Sequence, residues 1–169
     1  TQRTNMALEA LSFALENPMD SAIVETTGHY FFSVQQYQLS QQAYQRALVL
    51  GSESPLTYLR LSATYIAQNQ FEEAETLLAK GQMLPGANRI SYQMLHGQAY
   101  LGMGEYNSAL IALNQAIALL SDSRENDELE HRIYHIRGLA YLELGELHAA
   151  CEDFQRATTL QPNYLPSLE

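Results

Sequence analysis

The stretch GQAYLGMGEYNSALIALNQA, residues 97–116, decides the fold of this chain. Small residues stand at Gly97, Ala109 and Ala116, and the aromatic residues Tyr100 and Tyr106 lie between them. The step of three residues from Gly97 to Tyr100, and that of seven from Ala109 to Ala116, each bring two side chains to one helix face. The stretch therefore predicts two helices that approach closely at the small residues, with aromatic rings filling the space beside them.

The same pattern occurs four times in the chain. Its small first position is held by Gly28, Ser62, Gly97 and Gly138, at steps of 34, 35 and 41 residues. Repetition at this period indicates a series of helix pairs in which neighbouring pairs bury each other's apolar faces. The sequence predicts helices at residues 21–34, 37–50, 55–68, 71–82, 90–102, 105–120, 127–144 and 147–160.

The pattern resembles the tetratricopeptide repeat (TPR), a helix-turn-helix unit, over Ser21 to about Asn163. Ser40 and Gly81 stand where the family usually has Ala, and Val24 and Gln93 replace its usual aromatic residue near the start of the first helix. The resemblance implies an all-α fold, a right-handed α-solenoid in which the first helix of each repeat lines the concave side. We expect an N-terminal capping helix in residues 1–20, repeats at 21–54, 55–88, 90–123 and 127–163, and a tail or the start of a cap at 164–169.

The composition disfavours several classes of partner. The chain has 9 basic and 19 acidic side chains and a formal net charge of -10, so nucleic acid and anionic membrane surfaces are repelled on average. No stretch approaches the roughly 18 apolar residues of a membrane span, and no signal segment opens the chain. We expect a soluble protein without membrane insertion. The cytoplasm is the expected compartment, and the periplasm or another soluble compartment stays open.

A second apolar stripe on the first helices predicts a binding face. In the predicted helix 55–68, Leu59, Ala63 and Ile66 lie on a different face from the packing residue Tyr58. One packed face needs only one stripe, so the second predicts an apolar groove for a peptide or helix of a partner protein, unless it packs against neighbouring repeats. The predicted groove consists of His29, Phe32, Leu59, Arg60, Ala63, Ile66, Met94, Gln98, Leu101, Arg132, His135 and Leu139.

The residues of the chaperone-binding members of the family are missing. Members that capture the C-terminal carboxylate of chaperones use a Lys/Asn/Arg clamp on the first helices. A receptor for chaperone tails is therefore not predicted. The matching positions of this sequence hold Glu25, His29, Arg60, Ser91 and Leu95.

The sequence contains little that points to catalysis. His131 and His135 stand four residues apart on one predicted helix, with Glu128 one turn earlier, which is a spacing that can hold a metal. The Glu that follows the first His in hydrolytic zinc helices is absent, and no glycine-rich phosphate loop occurs. The single cysteine, Cys151, reads as a small buried residue. We therefore predict no cofactor, no metal and no enzyme activity, with a metal-dependent enzyme built on the two histidines as an alternative.

The function predicted from the sequence is that of a non-enzymatic scaffold or adaptor. Its concave groove would bind a peptide or helix of a partner protein, mainly through apolar contacts. An alternative keeps the fold and assigns it to self-association, as a homo-oligomer, or to the regulatory TPR portion of a larger protein.

Overall fold

The computed structural model of the chain describes residues 5–6, 8–9, 12–13, 21–121 and 127–161. These ranges contain helices and their connecting turns and no strand. The eight helices predicted from the repeats are confirmed, and their ends lie within two residues of the predicted positions. In chain order they are α1 (Ser21–Ser33), α2 (Tyr37–Val49), α3 (Pro55–Ile66), α4 (Phe71–Gly81), α5 (Arg89–Gly102), α6 (Tyr106–Ser121), α7 (Asp127–Glu143) and α8 (Leu147–Leu160).

The predicted capping segments are described only in part. Residues 5–6, 8–9 and 12–13 are helical, and their role as a cap stays a prediction. The remainder of residues 1–20, residues 122–126 and residues 162–169 lie outside the described residues. None of the helices described in this structure is long and apolar enough to cross a membrane.

The helices belong to two compact units, unit 1 (Thr1–Ala87) and unit 2 (Asn88–Glu169). In unit 1 each helix packs against the next, and α1 also contacts α3. In unit 2 consecutive helices pack in the same way, and α5 also contacts α7. Each unit is therefore two successive helical hairpins whose first helices touch one another.

Glycine allows close helix packing within the hairpins of unit 2. A Cβ atom added to Gly97 would lie 2.5 Å from Leu113 Cγ, and one added to Gly138 would lie 2.7 Å from Phe154 Cε1. Both distances are far shorter than normal carbon contacts, so no larger residue fits without movement. The first position of the sequence pattern is therefore a packing position.

The turn inside each hairpin places one residue in the left-handed region. This residue is Gln35 (φ 60°) and Asn69 (φ 59°) in unit 1, and Gly104 (φ 78°) and Gly145 (φ 79°) in unit 2. Glycine adopts this conformation without steric cost, whereas a residue with a Cβ atom is strained in it. The four turns thus share one backbone conformation but differ in strain.

The helix starts agree with the sequence signals only in part. Pro55 is at the first turn of α3 as predicted, but the Ser54 side chain makes no capping hydrogen bond. Proline lacks the backbone N–H, so this terminus has one donor fewer to satisfy. Asn88, which the sequence reading did not single out, caps α5 by accepting a hydrogen bond from the Ser91 backbone N–H at 3.1 Å.

Candidate functional site

The predicted groove residues of unit 1 lie on the two first helices, α1 and α3. His29 is exposed on α1, and Phe32 is half-buried with its ring edge-on to Tyr37 at a centroid distance of 5.6 Å. Leu59 and Ala63 are half-buried on α3. Because α1 contacts α3, these side chains belong to neighbouring helices of the same unit. We call His29, Phe32, Leu59 and Ala63 the unit 1 face.

Arg60 takes part in a polar cluster inside unit 1. It lies beside the fully buried Tyr44, and no described residue forms a well-aligned hydrogen bond with the Tyr44 hydroxyl. Burial raises the pKa of Tyr44 to about 12, an effect that the positive charge of Arg60 partly opposes. Nearby, the Ser52 hydroxyl donates to Glu25 Oε1 at 2.6 Å. Arg60 is therefore half-buried beside internal groups, and a partner would compete with them for its charge.

The predicted groove residues of unit 2 lie on α5 and α7. Gln98 and Leu101 are half-buried on α5, while Arg132 is exposed and Leu139 is half-buried on α7. Because α5 contacts α7, this unit also carries polar and apolar side chains on two adjoining first helices. We call Gln98, Leu101, Arg132 and Leu139 the unit 2 face.

Two apolar residues of the predicted groove are buried. Ile66 is 6% exposed and Met94 is 3% exposed, so neither offers much surface to a partner. Side chains this deeply buried contribute to folding through the removal of apolar area from water. Their burial agrees better with the alternative in which the apolar stripe packs against neighbouring repeats than with an open groove.

The two histidines of α7 are partly removed from water. His131 is buried, and His135 is half-buried with its ring 5.6 Å from that of Phe154. Burial lowers the pKa of His131, with a further contribution from Arg132; burial also lowers the pKa of His135, with a further contribution from His131. Among the described residues, no three His, Cys, Asp or Glu side chains are placed to hold a metal ion. The side chain of Glu128 lies outside the described residues.

A charged bridge joins three helices of unit 2. Arg137 on α7 donates from Nε and Nη2 to the two carboxylate oxygens of Asp153 on α8, both at 2.7 Å. Its Nη1 donates to Asn114 Oδ1 on α6 at 2.6 Å. The guanidinium also lies 5.2 Å from the ring centroid of Tyr134 and 5.7 Å from that of Tyr141. We call Arg137, Asp153 and Asn114 the unit 2 bridge; the Asp153 side chain is 5% exposed.

The sequence reading missed this bridge, although a signal was present. Arg137 and Asp153 hold the repeat positions that Leu61 and Leu77 occupy in the second copy of the pattern. Two opposite charges at positions that are apolar in another copy indicate a pair, because a buried charge requires a partner. A comparison of the copies position by position would have found it.

A cleft occupies the corresponding place in unit 1. It has a volume of about 410 Å³ and is open to solvent, and it is lined by parts of α2, α3 and α4. It lies on residues outside the predicted groove, and no motif in the sequence pointed to it. We call it the unit 1 cleft; its lining residues are Gln45, Leu48, Val49, Leu61, Tyr65, Glu73, Thr76 and Leu77.

The prediction that Cys151 is buried is wrong. Cys151 is exposed on α8, as is Leu147, whose exposed fraction is 63%. Helix α8 is the last described helix, and it packs against α7 through its other side, which includes the buried Ala150 and Ala157. The helix therefore has one face, which includes Leu147 and Cys151, that the described chain does not cover.

Comparisons with known proteins agree with this architecture. The family model described as "Tetratricopeptide repeat" matches residues 90–119 and 131–164. The model of the TPR-like family described as "ChAPs (Chs5p-Arf1p-binding proteins)" matches residues 4–99. The chain belongs to the tetratricopeptide repeat family. The two matches together extend over all four helical hairpins of this TPR protein.

The TPR chain also resembles individual proteins. Over 107 residues, or 63% of its length, it is 29% identical to the tetratricopeptide repeat and J domain-containing co-chaperone DNJ1 of Fusarium oxysporum f. sp. lycopersici, of which it spans 19%. It superposes with a TM-score of 0.76 and 18% identity on a chain in the crystal structure of the APC/C hetero-tetramer Cut9-Hcn1, covering 95% of this chain and 31% of that one. With MamA (residues 41 to the end) from Desulfovibrio magneticus RS-1 the TM-score is 0.72 at 18% identity, covering 98% and 91% of the two chains.

These likenesses establish the α-solenoid class of the TPR fold. The TPR fold generally mediates protein–protein interaction, and TPR scaffolds are typically non-enzymatic. Fold alone does not identify a partner, because function resides in the side chains that a scaffold presents.

Proposed function

We propose that this TPR chain is a non-enzymatic adaptor that binds a segment of another protein on the first-helix faces of its units. The observation that supports this proposal most directly is the mixture of partly exposed apolar and polar side chains on adjoining first helices. Phe32 and Leu59 belong to the unit 1 face together with the exposed His29, and Leu101 and Leu139 share the unit 2 face with the exposed Arg132. Such surfaces suit a peptide or helix with spaced apolar anchors.

The affinity would come from the apolar residues and the selectivity from the polar ones. Each square ångström of apolar surface removed from water contributes about 25 cal/mol before the costs of association. Gln98 and Arg132 would fix the orientation of the ligand through hydrogen bonds with its backbone or carboxylates. A net charge of -10 disfavours nucleic acid as the ligand of these faces.

The test uses peptides selected from a random phage-displayed library on the purified chain, with binding measured by fluorescence anisotropy. The double variant Leu59→Lys/Leu101→Lys is expected to weaken binding at least about tenfold, because it places a charge on each face. Each single variant then shows which unit binds. The matched control is Ile111→Lys, which changes an apolar residue of similar size, 62% exposed, on the second helix α6.

Circular dichroism verifies that the variants remain helical. Binding that survives the double variant, or that Ile111→Lys removes to the same degree, would refute the first-helix faces as the site.

Self-association is a second candidate function, and the outward face of α8 favours it. Leu147 is 63% exposed on this helix, one turn before the exposed Cys151, and an exposed apolar side chain of this size can contact a second copy of the chain. Sedimentation velocity at two concentrations tests the idea. A second copy on α8 predicts a mass that rises with concentration and that Leu147→Glu returns to the monomer value.

A further inference from the structure

The unit 1 cleft lies on a different side of its helices from the unit 1 face. Its walls come from the second helices α2 and α4, and its base comes from α3, where Leu61 is 1% exposed and so offers almost no surface to a ligand. Leu48 and Leu77 on the walls are half-buried, and Val49 is 74% exposed at the rim. The cleft is therefore an apolar surface that the described chain leaves accessible.

Comparison with unit 2 shows that this surface is not a requirement of the fold. The positions of Leu61, Leu77 and Gln45 are held in unit 2 by the three members of the unit 2 bridge. There the charged side chains and Asn114 satisfy one another across three helices. In unit 1 the residues at these three positions form no ion pair. They border an open space of about 410 Å³.

The polar groups at the rim of the cleft define the chemistry of a ligand. The Gln45 side-chain N–H donates to the Tyr65 hydroxyl at 2.7 Å, which leaves the Gln45 carbonyl to accept and the Tyr65 hydroxyl to donate. Among the residues that line the cleft, Glu73 is the one charged group, and it is exposed; the exposed Lys80, one turn after Leu77 on the same helix, does not line it. Apolar walls beside a carboxylate complement an apolar side chain next to a positive charge.

We propose that the unit 1 cleft is a second docking surface, which binds an amphipathic helix of a partner protein. The helix inserts a Leu- or Ile-sized side chain between α2 and α4 and places a Lys or Arg about one turn away against Glu73. A small-molecule site would enclose most of its ligand, whereas this cleft is open along the surface. The surface is independent of the first-helix faces and goes beyond the adaptor function proposed above.

The experiment uses a synthetic amphipathic peptide of about 14 residues with Leu on one face and Lys beside it, which is long enough to form a helix on binding. A second peptide has the same Leu residues and Glu in place of Lys. Both are titrated into the uniformly ¹⁵N-labelled full chain, and amide chemical shifts are recorded. The basic peptide is expected to shift amides at Leu48, Val49, Tyr65 and Leu77, and the acidic peptide is expected to leave them unchanged.

Exposed substitutions test the contacts without disturbing the core. Val49→Ser is expected to weaken binding of the basic peptide several-fold because it removes an apolar contact, whereas Ile23→Ser, at an apolar residue of α1 that is 46% exposed, is expected to leave the affinity unchanged. Glu73→Lys is expected to weaken binding several-fold more than Glu72→Lys, whose side chain does not line the cleft. The Leu59→Lys/Leu101→Lys variant should bind the peptide as the unchanged chain does, which separates this surface from the adaptor site.

Several outcomes would overturn the proposal. Shifts centred on Phe32 and Leu59 would move the peptide to the unit 1 face. Equal losses for Glu72→Lys and Glu73→Lys would reduce the effect to the overall negative charge. An apolar dye that shifts the cleft amides where the peptide does not would identify a small-molecule site. Cleft amides that shift with protein concentration alone would identify a second copy of the chain as the occupant.

Discussion

The three repeat positions that form the unit 2 bridge are used in opposite ways by units 1 and 2. Between α6, α7 and α8, unit 2 fills these positions with Arg137, Asp153 and Asn114, which bond to one another at 2.6 to 2.7 Å. Unit 1 has apolar residues at two of the three positions and an open cleft. A helical repeat thus accepts either an internal ion pair or a partly exposed apolar surface at one place. The choice determines whether that surface is available to another molecule.

The two units also differ at the turn inside each hairpin. Unit 2 has glycine at the left-handed position, as Gly104 and Gly145, while unit 1 has Gln35 and Asn69. Asparagine tolerates this region better than most residues because of its short polar side chain, but glutamine has no such advantage. Unit 1 therefore carries backbone strain that unit 2 avoids.

The largest expected effect comes from breaking the unit 2 bridge. Asp153→Ala should lower the free energy of unfolding by about 3 kcal/mol, because it leaves the Arg137 charge without its partner at a site only 18% exposed. Urea denaturation followed by circular dichroism measures the change. The neighbouring Glu152→Ala, at an exposed residue, is the control and should change stability by less than about 0.5 kcal/mol.

A double variant sharpens the comparison by giving unit 2 the residues of unit 1. Arg137→Leu/Asp153→Leu removes both charges together, so stability should return to within about 1 kcal/mol of the unchanged chain. If the double variant is as unstable as Asp153→Ala, the bridge is required for the packing of unit 2, and the two solutions are not interchangeable.

Replacing the glycine at the first repeat position by alanine should destabilise unit 2 more than unit 1. Gly97→Ala places a Cβ atom 2.5 Å from buried Leu113 and should cost about 1 to 2 kcal/mol, since overpacking exceeds the gain in helix propensity. Gly28→Ala approaches the Tyr44 ring at 3.0 Å, so the two effects should nearly cancel. Thermal unfolding of the two variants side by side checks this order, and a greater loss for Gly28→Ala would contradict it.

Relief of turn strain should stabilise unit 1 slightly. Gln35→Gly is expected to raise the free energy of unfolding by up to about 1 kcal/mol, because glycine adopts the left-handed conformation without a Cβ clash. Gln42→Gly, at an exposed position in the middle of helix α2, should lower it by about 0.5 to 1 kcal/mol. Amide hydrogen exchange in α1 and α2 locates the effect, and a loss of protection in Gln35→Gly would show that its side chain matters more than its backbone.

The smallest expected effect is a pH dependence that arises from two histidines of unit 2. Because burial lowers the pKa of His131 and of His135, the folded state binds fewer protons than the unfolded state in mildly acidic solution. Stability is therefore complete above the unfolded pKa of about 6.5 and falls as the pH drops through the lower folded values. His131→Gln/His135→Gln should flatten this slope in urea titrations, and a slope that the double variant leaves unchanged would contradict the prediction.

Much of the fold was predictable because the repeat pattern is local. The four copies of small and aromatic residues gave all eight helices that the structure describes between residues 21 and 160, since helical spacing fixes which side chains share a face. The candidate site was less predictable. Leu59 and Ile66 belong to the same predicted stripe, yet Leu59 is half-buried and Ile66 is 6% exposed. Whether these faces bind a partner stays a prediction.

The sequence by itself determined the helices, their pairing into hairpins and the contact positions such as Gly97 and Gly138, because these depend on residues close together in the chain. Only the tertiary structure decided that Arg137 reaches both Asn114 and Asp153, and that Leu61 and Leu77 border an open cleft. The physical reason is that periodicity fixes the direction of a side chain about its own helix. Burial and partners depend on which other helices cover that direction.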